Sequence, residues 1–274
     1  MTVTTSAVPD PDSTYQPVLD TAVPHSARVW NYWLGGKDNY PADRAIGNQV
    51  RELYPEIINI ARESRAFLGR VVRFLAGEAG IRQFLDIGTG LPTADNTHEV
   101  AQRIAPDARI VYVDRDPLVL VHARALLTST PEGATAFMDA DVRQPDAILA
   151  AATRLLDFTQ PIALMMLGIL GNVADTDEAH SIVTRLLHAV PAGSYLVVND
   201  GTIPTDDTAA AAREAGRRRN EAGDPYHPRT PEQLARFLDG LELVEPGVVS
   251  TSLWRPDPGT NPTPVDSHCG VARK

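Results

Sequence analysis

The stretch that decides the fold is QFLDIGTGLPT, residues 83–93. Two large apolar residues in it lead to a carboxylate, Asp86, and then to Gly88 and Gly90, where the chain can turn sharply because glycine tolerates positive φ. In an open α/β sheet, the turn after the first strand lies at the edge where ligands bind. The stretch therefore predicts a strand, a tight turn and a helix whose free N–H groups face a ligand site.

Similar short apolar runs recur further along the chain, with helix-like segments between them. They read ARIVYVD, ATAFMD, PIALMML and GSYLVVND. Strands that alternate with helices predict an α/β fold, in which a sheet of mostly parallel strands carries helices on both faces. Two β-like runs near the C-terminus, LELVE and VVSTSLW, indicate an antiparallel hairpin at the sheet edge.

Composition and periodicity divide the chain into three parts. Residues 1–22 are rich in Thr, Ser, Pro and Asp without periodicity, which predicts a disordered tail. Residues 23–78 carry apolar side chains at helical spacing, such as Ile46 and Val50, and form a predicted helical extension that we expect to act as a lid. Residues 79–274 contain the predicted strands and form the predicted cofactor-binding core.

Charge and composition argue against several classes of function. The 274 residues carry a formal net charge of -10, whereas nucleic-acid surfaces concentrate positive charge, so we expect no nucleic-acid partner. A single cysteine, Cys269, excludes an intramolecular disulfide, and the seven histidines lack metal-ligand spacing, so we expect no metal. The longest apolar stretch is too short to span a bilayer and no secretory signal is found, so we expect a cytoplasmic protein without a membrane partner.

Acidic residues stand at the ends of successive predicted strands. Asp114 ends the second strand, about 20 residues beyond the glycine turn, where a carboxylate accepts hydrogen bonds from a ribose diol. Asp141 lies just beyond the third strand, in a position to accept from an exocyclic amino group such as that of adenine. Either residue alone is explained equally well as a helix cap or a solvated charge. Together with Asp86 they favour a ligand that contains a nucleoside.

The glycine turn also distinguishes between nucleosides. A dinucleotide site prefers a third glycine, which lets helix and strand pack closely beneath a pyrophosphate, and this position is Thr93, preceded by Pro92. Asp86 would repel a phosphate but favour an ammonium or sulfonium cation. S-adenosylmethionine, which carries both cations, fits this pattern better than NAD.

Several motifs together resemble a known family. They are FLDIGTGLPT, APDARIVYVDRDPLVLVHARALL, DADVRQPDAIL, RTPEQLARFLDGLELVEPGV and the upstream segment ARVWNYWLGGKDNYPADR. From about Pro24 to Lys274 the chain resembles the actinobacterial S-adenosylmethionine-dependent methyltransferase family, first catalogued as a domain of unknown function. The resemblance implies a class I methyltransferase fold, which is a Rossmann-like sheet, with S-adenosylmethionine as cofactor.

The resemblance also implies where the cofactor binds. It places the methionine end at the glycine turn, the ribose at Asp114 and the adenine near Asp141. The predicted cofactor-binding residues are Asp86, Gly88, Thr89, Gly90, Asp114, Arg115, Asp141 and Val142. Two positions depart from the family's pattern: Asn31 stands where relatives often have an acid, and Ser64 where an amide side chain is expected.

The acceptor side is less well defined. A lid over the strand ends would bring polar side chains of the N-terminal segment to the methyl group, and we predict Tyr32 and Asp38 as catalytic residues. Further candidates for polar contacts are Lys37, Asn39 and Asp43, whereas Val29, Trp30 and Trp33 are expected to pack on the core. His25 and His227 are alternative bases, although exposed loop histidines are the simpler interpretation.

The sequence therefore predicts a methyltransferase that acts on a small-molecule acceptor. Methyl transfer is an in-line displacement at an activated carbon, so alignment and exclusion of water supply much of the acceleration. Two alternatives stay open. One is a non-catalytic protein that binds S-adenosylmethionine; the other, disfavoured by Thr93 and Asp86, is an NAD-dependent oxidoreductase.

Overall fold

The computed structural model describes residues 19–93, 95–126 and 128–274. Most of the predicted disordered tail, residues 1–18, lies outside the described residues. Among the described residues, no helix combines the length and the apolar character that crossing a bilayer requires.

The chain alternates helices and strands as the sequence predicts. The helices are α1 (Ser26–Trp33), α2 (Pro41–Leu53), α3 (Ile57–Gly77), α4 (Thr97–Ile104), α5 (Pro117–Leu126), α6 (Pro145–Ala152), α7 (Thr176–Ala189), α8 (Ala209–Glu221) and α9 (Pro231–Ala235). The strands are β1 (Gln83–Ile87), β2 (Arg109–Asp114), β3 (Ala134–Asp139), β4 (Ala163–Leu167), β5 (Tyr195–Gly201), β6 (Glu242–Leu243), β7 (Val249–Ser250) and β8 (Ser267–Arg273).

The strand that precedes the glycine turn lies in the middle of the sheet. The strand order is β3-β2-β1-β4-β5-β8-β6, with β7 also paired to β8. Strands β1 to β5 run parallel to one another, and β8 runs antiparallel to β5. Because the order reverses between β1 and β4, a crevice opens at the carboxyl ends of these central strands. This mixed sheet confirms the predicted α/β fold and its antiparallel C-terminal edge.

The predicted C-terminal hairpin is wrong in one respect. Strands β6 and β7 do not pair with each other; both pair with β8, the last strand of the chain. The reason is burial: β6 has two exposed residues, whereas β8 buries Cys269, Val271 and Ala272 between β5 and the short strands. The most buried of the terminal strands therefore takes the interior position.

Both faces of the sheet are covered by apolar side chains. Leu85 and Ile87 of β1 lie in one buried cluster with residues of α6 and α7, and Phe84 lies in the opposite cluster with residues of α3 and α4. This alternation follows from the two-residue period of a strand. With both faces covered, the functional surface of the sheet is restricted to its edges.

A third apolar cluster lies outside these two layers. It joins α1, α2 and the first turns of α3 to α8, and its buried members include Val29, Trp33, Val50 and Ala215. We call α1, α2 and α8 the helical cap. The burial of Val29 and Trp33 in the cap agrees with their expected packing role. The predicted lid ended at residue 78, but the cap also takes in α8, which is distant in sequence.

Charged residues attach the start of α1 to the sheet. The buried Asp116, which follows β2, lies 2.9 Å from Nδ1 of His25 and 3.3 Å from Nε of Arg28. Asp43 accepts from the backbone N–H groups of His25 and Tyr40. Burial disfavours a charged imidazole, but the Asp116 carboxylate outweighs it, so the pKa of His25 is raised. The cap is thus ion-paired to the loop beyond β2.

Candidate functional site

A cavity lies between the helical cap and the carboxyl edge of the parallel strands. Its walls come from the β1–α4 turn, the loops after β2, β3 and β4, the end of β5, one face of α1, part of α3 and the segment after α8. This is the switch point of the sheet, where neighbouring strand ends diverge and leave room for a ligand.

The glycine turn forms the floor of the cavity. Gly88 and Gly90 have φ values of +79° and +68°, which favour glycine, and the N–H of Gly88 donates to the Val113 carbonyl at 2.8 Å. A Cβ on Gly88 would lie 2.6 Å from the side chain of Ile169, whereas a Cβ on Gly90 would meet nothing within 4 Å. Gly88 is therefore required for packing, and Gly90 leaves open space for a ligand.

Asp114 connects the glycine turn to the end of β2. One carboxylate oxygen accepts from the Gly90 N–H at 2.8 Å, and the other accepts from the Asp116 N–H at 2.9 Å. Burial raises the pKa of this carboxyl group, while the two backbone donors and the nearby His25 act against the rise. Each oxygen keeps a further lone pair, so the carboxylate can still accept from a ligand.

Asp86 is a buried carboxylate at the start of the same turn. It accepts from the Thr97 hydroxyl at 2.6 Å, and Arg65 of α3 lies close enough to favour its charged form. Desolvation dominates and raises the pKa of Asp86 to about 6. Arg65 in turn donates to Asn96 Oδ1 at 3.1 Å. A negative and a positive side chain therefore adjoin at this end of the cavity.

The opposite end of the cavity carries Asp141 and Val142. Asp141 accepts from Arg115 at 2.9 Å and from the backbone N–H of Arg143 at 3.0 Å. Burial raises its pKa, but the bonds and charges of the two arginines outweigh this, so the pKa is lowered. Val142 is buried beside it. A flat apolar group with a polar edge would find both kinds of contact here.

The structure brings every residue predicted to bind the cofactor to this single cavity. Those residues are Asp86, Gly88, Thr89, Gly90, Asp114, Arg115, Asp141 and Val142. They lie at the carboxyl ends of β1 and β2 and in the loops that follow β1, β2 and β3. Their individual roles stay predictions.

The predicted catalytic residues Tyr32 and Asp38 do not line the cavity. The Tyr32 hydroxyl donates to Asn48 Oδ1 of α2 at 2.7 Å, and the Asp38 carboxylate lies 3.9 Å from His122. The reason is helical geometry, since α1 turns Tyr32 toward α2. Lys37, Asn39 and Asp43 are also absent from the lining, as is His227. This arrangement does not support a catalytic role for Tyr32 or Asp38.

A different face of α1 meets the cavity. Its residues are Ala27, Trp30 and Asn31, and Leu34 continues the spacing of three and four just beyond the helix. His25 lines the cavity just ahead of them. Trp30 was expected to pack on the core, yet it contributes to the lining. The same spacing is visible in the sequence, but it does not say which face of the helix turns toward the sheet.

No sequence pattern pointed to the segment after α8 as part of the site. Tyr226 lines the cavity, donates to Asp200 Oδ1 at 2.5 Å and accepts from the Gly201 N–H at 2.8 Å. Its ring lies below the Arg219 guanidinium, 4.7 Å away, and Arg219 pairs with Asp224 at 2.8 Å. Desolvation raises the pKa of Asp200 to about 6 against the opposing bond from Tyr226. These contacts hold the cap against the end of β5.

We expect Tyr226→Phe to destabilise the protein by about 2 kcal/mol, because it leaves the buried Asp200 carboxylate and the Gly201 N–H without this hydroxyl. The midpoint of urea unfolding measures the change. Tyr32→Phe is the matched control: it removes a half-buried hydroxyl outside the cavity, and we expect it to cost less than about 1 kcal/mol. Equal losses in the two variants would contradict the anchoring role of Tyr226.

Comparisons with known proteins agree with this geometry. A family model described as S-adenosyl methyltransferase matches residues 12–274. A crystal structure of a DUF574 family protein from Streptomyces avermitilis is 44% identical, with a TM-score of 0.88 over 93% of this chain and 99% of that chain. A proposed methyltransferase from Thermobifida fusca is also 44% identical, with a TM-score of 0.85 over 96% of this chain and 99% of that chain. No curated protein matches the chain.

Proposed function

The chain belongs to the S-adenosyl methyltransferase family, whose model spans residues 12–274, and we propose that it methylates a small molecule held beneath the helical cap. The observation that carries this proposal is the convergence of Asp86, Gly90 and Asp114 on one cavity at the switch point of the sheet. The comparisons identify the cofactor as S-adenosylmethionine. They leave the acceptor and the residues that bind it to be inferred.

The residues at the glycine turn fit the amino-acid end of the cofactor. Asp86 offers a buried negative charge to an ammonium or sulfonium group, and Arg65 beside it offers a positive charge to a carboxylate. The open space in front of Gly90 lets a ligand approach the backbone closely. We propose that Asp86 and Arg65 together bind the zwitterionic methionine end.

The nucleoside end is proposed to lie along β2 and β3. Asp114 has free lone pairs for a ribose diol, and its geometry is fixed by two backbone donors. Asp141 and Val142 combine a hydrogen-bond acceptor with an apolar surface, which suits an adenine ring. Arg115 and Arg143 hold the Asp141 carboxylate in place.

When bound, S-adenosylmethionine would supply a methyl group to the acceptor's nucleophile, with the demethylated cofactor as leaving group and the acceptor's proton passing to solvent. The protein's part is alignment and exclusion of water. The cap covers the cavity with the apolar surfaces of Trp30 and Leu34 from α1, and Leu68 of α3 adds to them. These surfaces keep water from the reacting atoms.

Titration calorimetry with S-adenosylmethionine, its demethylated product and NAD tests the proposal. We expect the first two to bind and NAD not to bind. Binding of NAD alone would overturn the proposal. Incubation with labelled cofactor and a metabolite extract then separates an enzyme from a non-catalytic binding protein, because only an enzyme yields a labelled product.

The affinity for S-adenosylmethionine is expected to rise by about tenfold between about pH 5 and about pH 7. Asp86, whose pKa is raised to about 6, must ionise before it attracts the ammonium group. The stability of the empty protein should change in the opposite direction: a raised pKa favours the folded state at acid pH, and this contribution is lost as the pH rises through about 6. Calorimetry and thermal melts across this range measure the two trends. If Asp86→Asn shows the same rise in affinity for S-adenosylmethionine with pH, the assignment of Asp86 to the ammonium group is refuted.

Net charge and cavity shape support the proposed partner class. A formal net charge of -10 disfavours nucleic acid, and the cavity is bounded on one side by the sheet and on the other by the cap, which suits a small molecule. A cytoplasmic location stays a prediction of the sequence.

A further inference from the structure

Three asparagines that the cofactor assignment does not use line the cavity, and two of them, Asn31 and Asn199, come from distant parts of the chain. Asn31 lies on α1, and Asn199 lies at the end of β5. Each side chain is only 3% exposed, so an amide group without a partner there would be costly. Each amide uses one end in hydrogen bonds within the protein, and no hydrogen bond with a described residue occupies its other end.

The orientation of the Asn31 amide is determined by its neighbours. Its Oδ1 accepts from the backbone N–H of Asp38 at 3.1 Å and from the side-chain NH₂ of Asn39 at 3.0 Å. A backbone N–H can only donate, so the oxygen must face it and Nδ2 must lie on the other side. The side-chain hydrogen bonds of Asn31 to described residues all go to Oδ1, and none comes from Nδ2. Asn31 therefore presents a hydrogen-bond donor.

The orientation of Asn199 is determined in the same way. Its Nδ2 donates to Ser267 Oγ at 2.8 Å and to the His268 carbonyl at 3.5 Å, and Ser267 Oγ in turn donates to the Asp200 carbonyl at 3.1 Å. A carbonyl can only accept, so the NH₂ group faces β8. The side-chain hydrogen bonds of Asn199 to described residues all come from Nδ2, and none goes to Oδ1. Asn199 therefore presents a hydrogen-bond acceptor.

The charged groups on this side of the cavity are already paired. Arg219 is bound to Asp224, and Asp200 is bound to Tyr226. A ligand with a net charge would enter without a counter-ion and lose its hydration, which is costly in a buried site. The neutral recognition groups here include the Asn31 donor and the Asn199 acceptor, together with Oδ1 of the cavity-lining Asn172, a buried acceptor that no described residue bonds.

We propose that Asn31 and Asn199 bind the methyl acceptor as a donor–acceptor pair, and that the acceptor carries an uncharged amide-like group with a hydrogen-bond acceptor beside a donor. The Asn31 NH₂ meets the acceptor's oxygen, and Asn199 Oδ1 meets its N–H or O–H. This inference deepens the proposed function and rests on it, because the group must lie next to the bound cofactor.

Three ligands of one shape test the pattern: benzamide, benzoate and benzamidinium. Benzamide has a donor beside an acceptor, benzoate has acceptors only, and benzamidinium has donors only. Their affinities are measured by ligand-observed NMR on protein saturated with the demethylated cofactor, which blocks Asp86 from attracting a cation. We expect the protein to bind benzamide at least about tenfold better than either charged ligand, since a mismatch leaves a buried group unpaired.

Asn31→Asp provides a test that loss of folding cannot imitate. A carboxylate still accepts from Asp38 and Asn39, but it replaces the donor toward the cavity with an acceptor. We expect the preferred ligand to change from benzamide to benzamidinium, by about tenfold in relative affinity. Asn48→Asp, the same change outside the cavity, should keep the preference for benzamide. Asn199→Ala should weaken benzamide by about tenfold.

The outcomes separate this inference from the proposed function. If the demethylated cofactor does not bind by calorimetry, the proposed function fails. If it binds but the unsubstituted protein does not prefer benzamide, or if Asn31→Asp leaves that preference unchanged, the inference alone is overturned. A reversal of preference in Asn31→Asp and not in Asn48→Asp supports it.

Discussion

Gly88→Ala is expected to lower the melting temperature by roughly 10 °C, the largest stability change that we foresee for a single methyl group. Two costs act together at this position. A left-handed conformation costs alanine about 1–2 kcal/mol, and the backbone here has a φ of +79°. The new Cβ would also lie 2.6 Å from Ile169, and overpacking of this kind costs a further 1–3 kcal/mol, roughly. Thermal melting followed by circular dichroism measures the loss.

Gly90→Ala separates the two costs. Gly90 has a similar φ of +68°, but its Cβ would meet nothing within 4 Å, so the variant carries the backbone cost without the collision. We expect its melting temperature to fall by less than half as much. Its affinity for S-adenosylmethionine should nevertheless drop, because the added methyl occupies cavity space. Equal melting temperatures for the two variants would show that Ile169 is not a rigid neighbour.

Asp114→Asn is expected to weaken binding of S-adenosylmethionine by about 100-fold. An amide has one acceptor where the carboxylate has two, and its NH₂ group would face the N–H of Gly90 or of Asp116. The change therefore removes a proposed ribose contact and loosens the glycine turn at once. Titration calorimetry measures the loss.

Asp141→Asn is the control for the effect of Asp114→Asn on binding of S-adenosylmethionine. It changes a partly exposed carboxylate whose partners are surface arginines, so we expect a loss of less than about tenfold. Adenosine as a second ligand assigns the effect to one end of the cofactor. Asp114→Asn should weaken adenosine and the demethylated cofactor alike, whereas Asp86→Asn should weaken only the latter. If Asp86→Asn also weakens the binding of adenosine, Asp86 contacts the nucleoside end, and its assignment to the methionine end is wrong.

Much of the architecture was predictable because its signals are local. Apolar runs that end in acidic residues or glycines define β1, β2 and β3, and the strand-helix alternation predicts a parallel sheet. Parallel strands bring their carboxyl ends to one edge, so Asp86, Asp114 and Asp141 had to lie near one another once the sheet formed.

The acceptor side was not predictable to the same degree. Tyr32 and Asn31 are neighbours in sequence, yet one binds α2 and the other lines the cavity. Which of them points inward depends on how α1 rotates against the sheet, and that rotation is set by packing in the cap and by the ion pairs of Asp116. The cap packing and the Asp116 ion pairs involve residues far along the chain, so the N-terminal segment alone carries no pattern that predicts the rotation of α1.

By itself, then, the sequence determined the sheet, the glycine turn and the positions of the carboxylates at the strand ends, because each depends on residues close together in the chain. Only the tertiary structure decided that α8 completes the cap, that Tyr226 anchors it to β5 and that the Asn199 NH₂ group donates to Ser267. Those features depend on partners far apart in sequence, such as Asn199 and Ser267, whose contact exists only after β5 and β8 have paired.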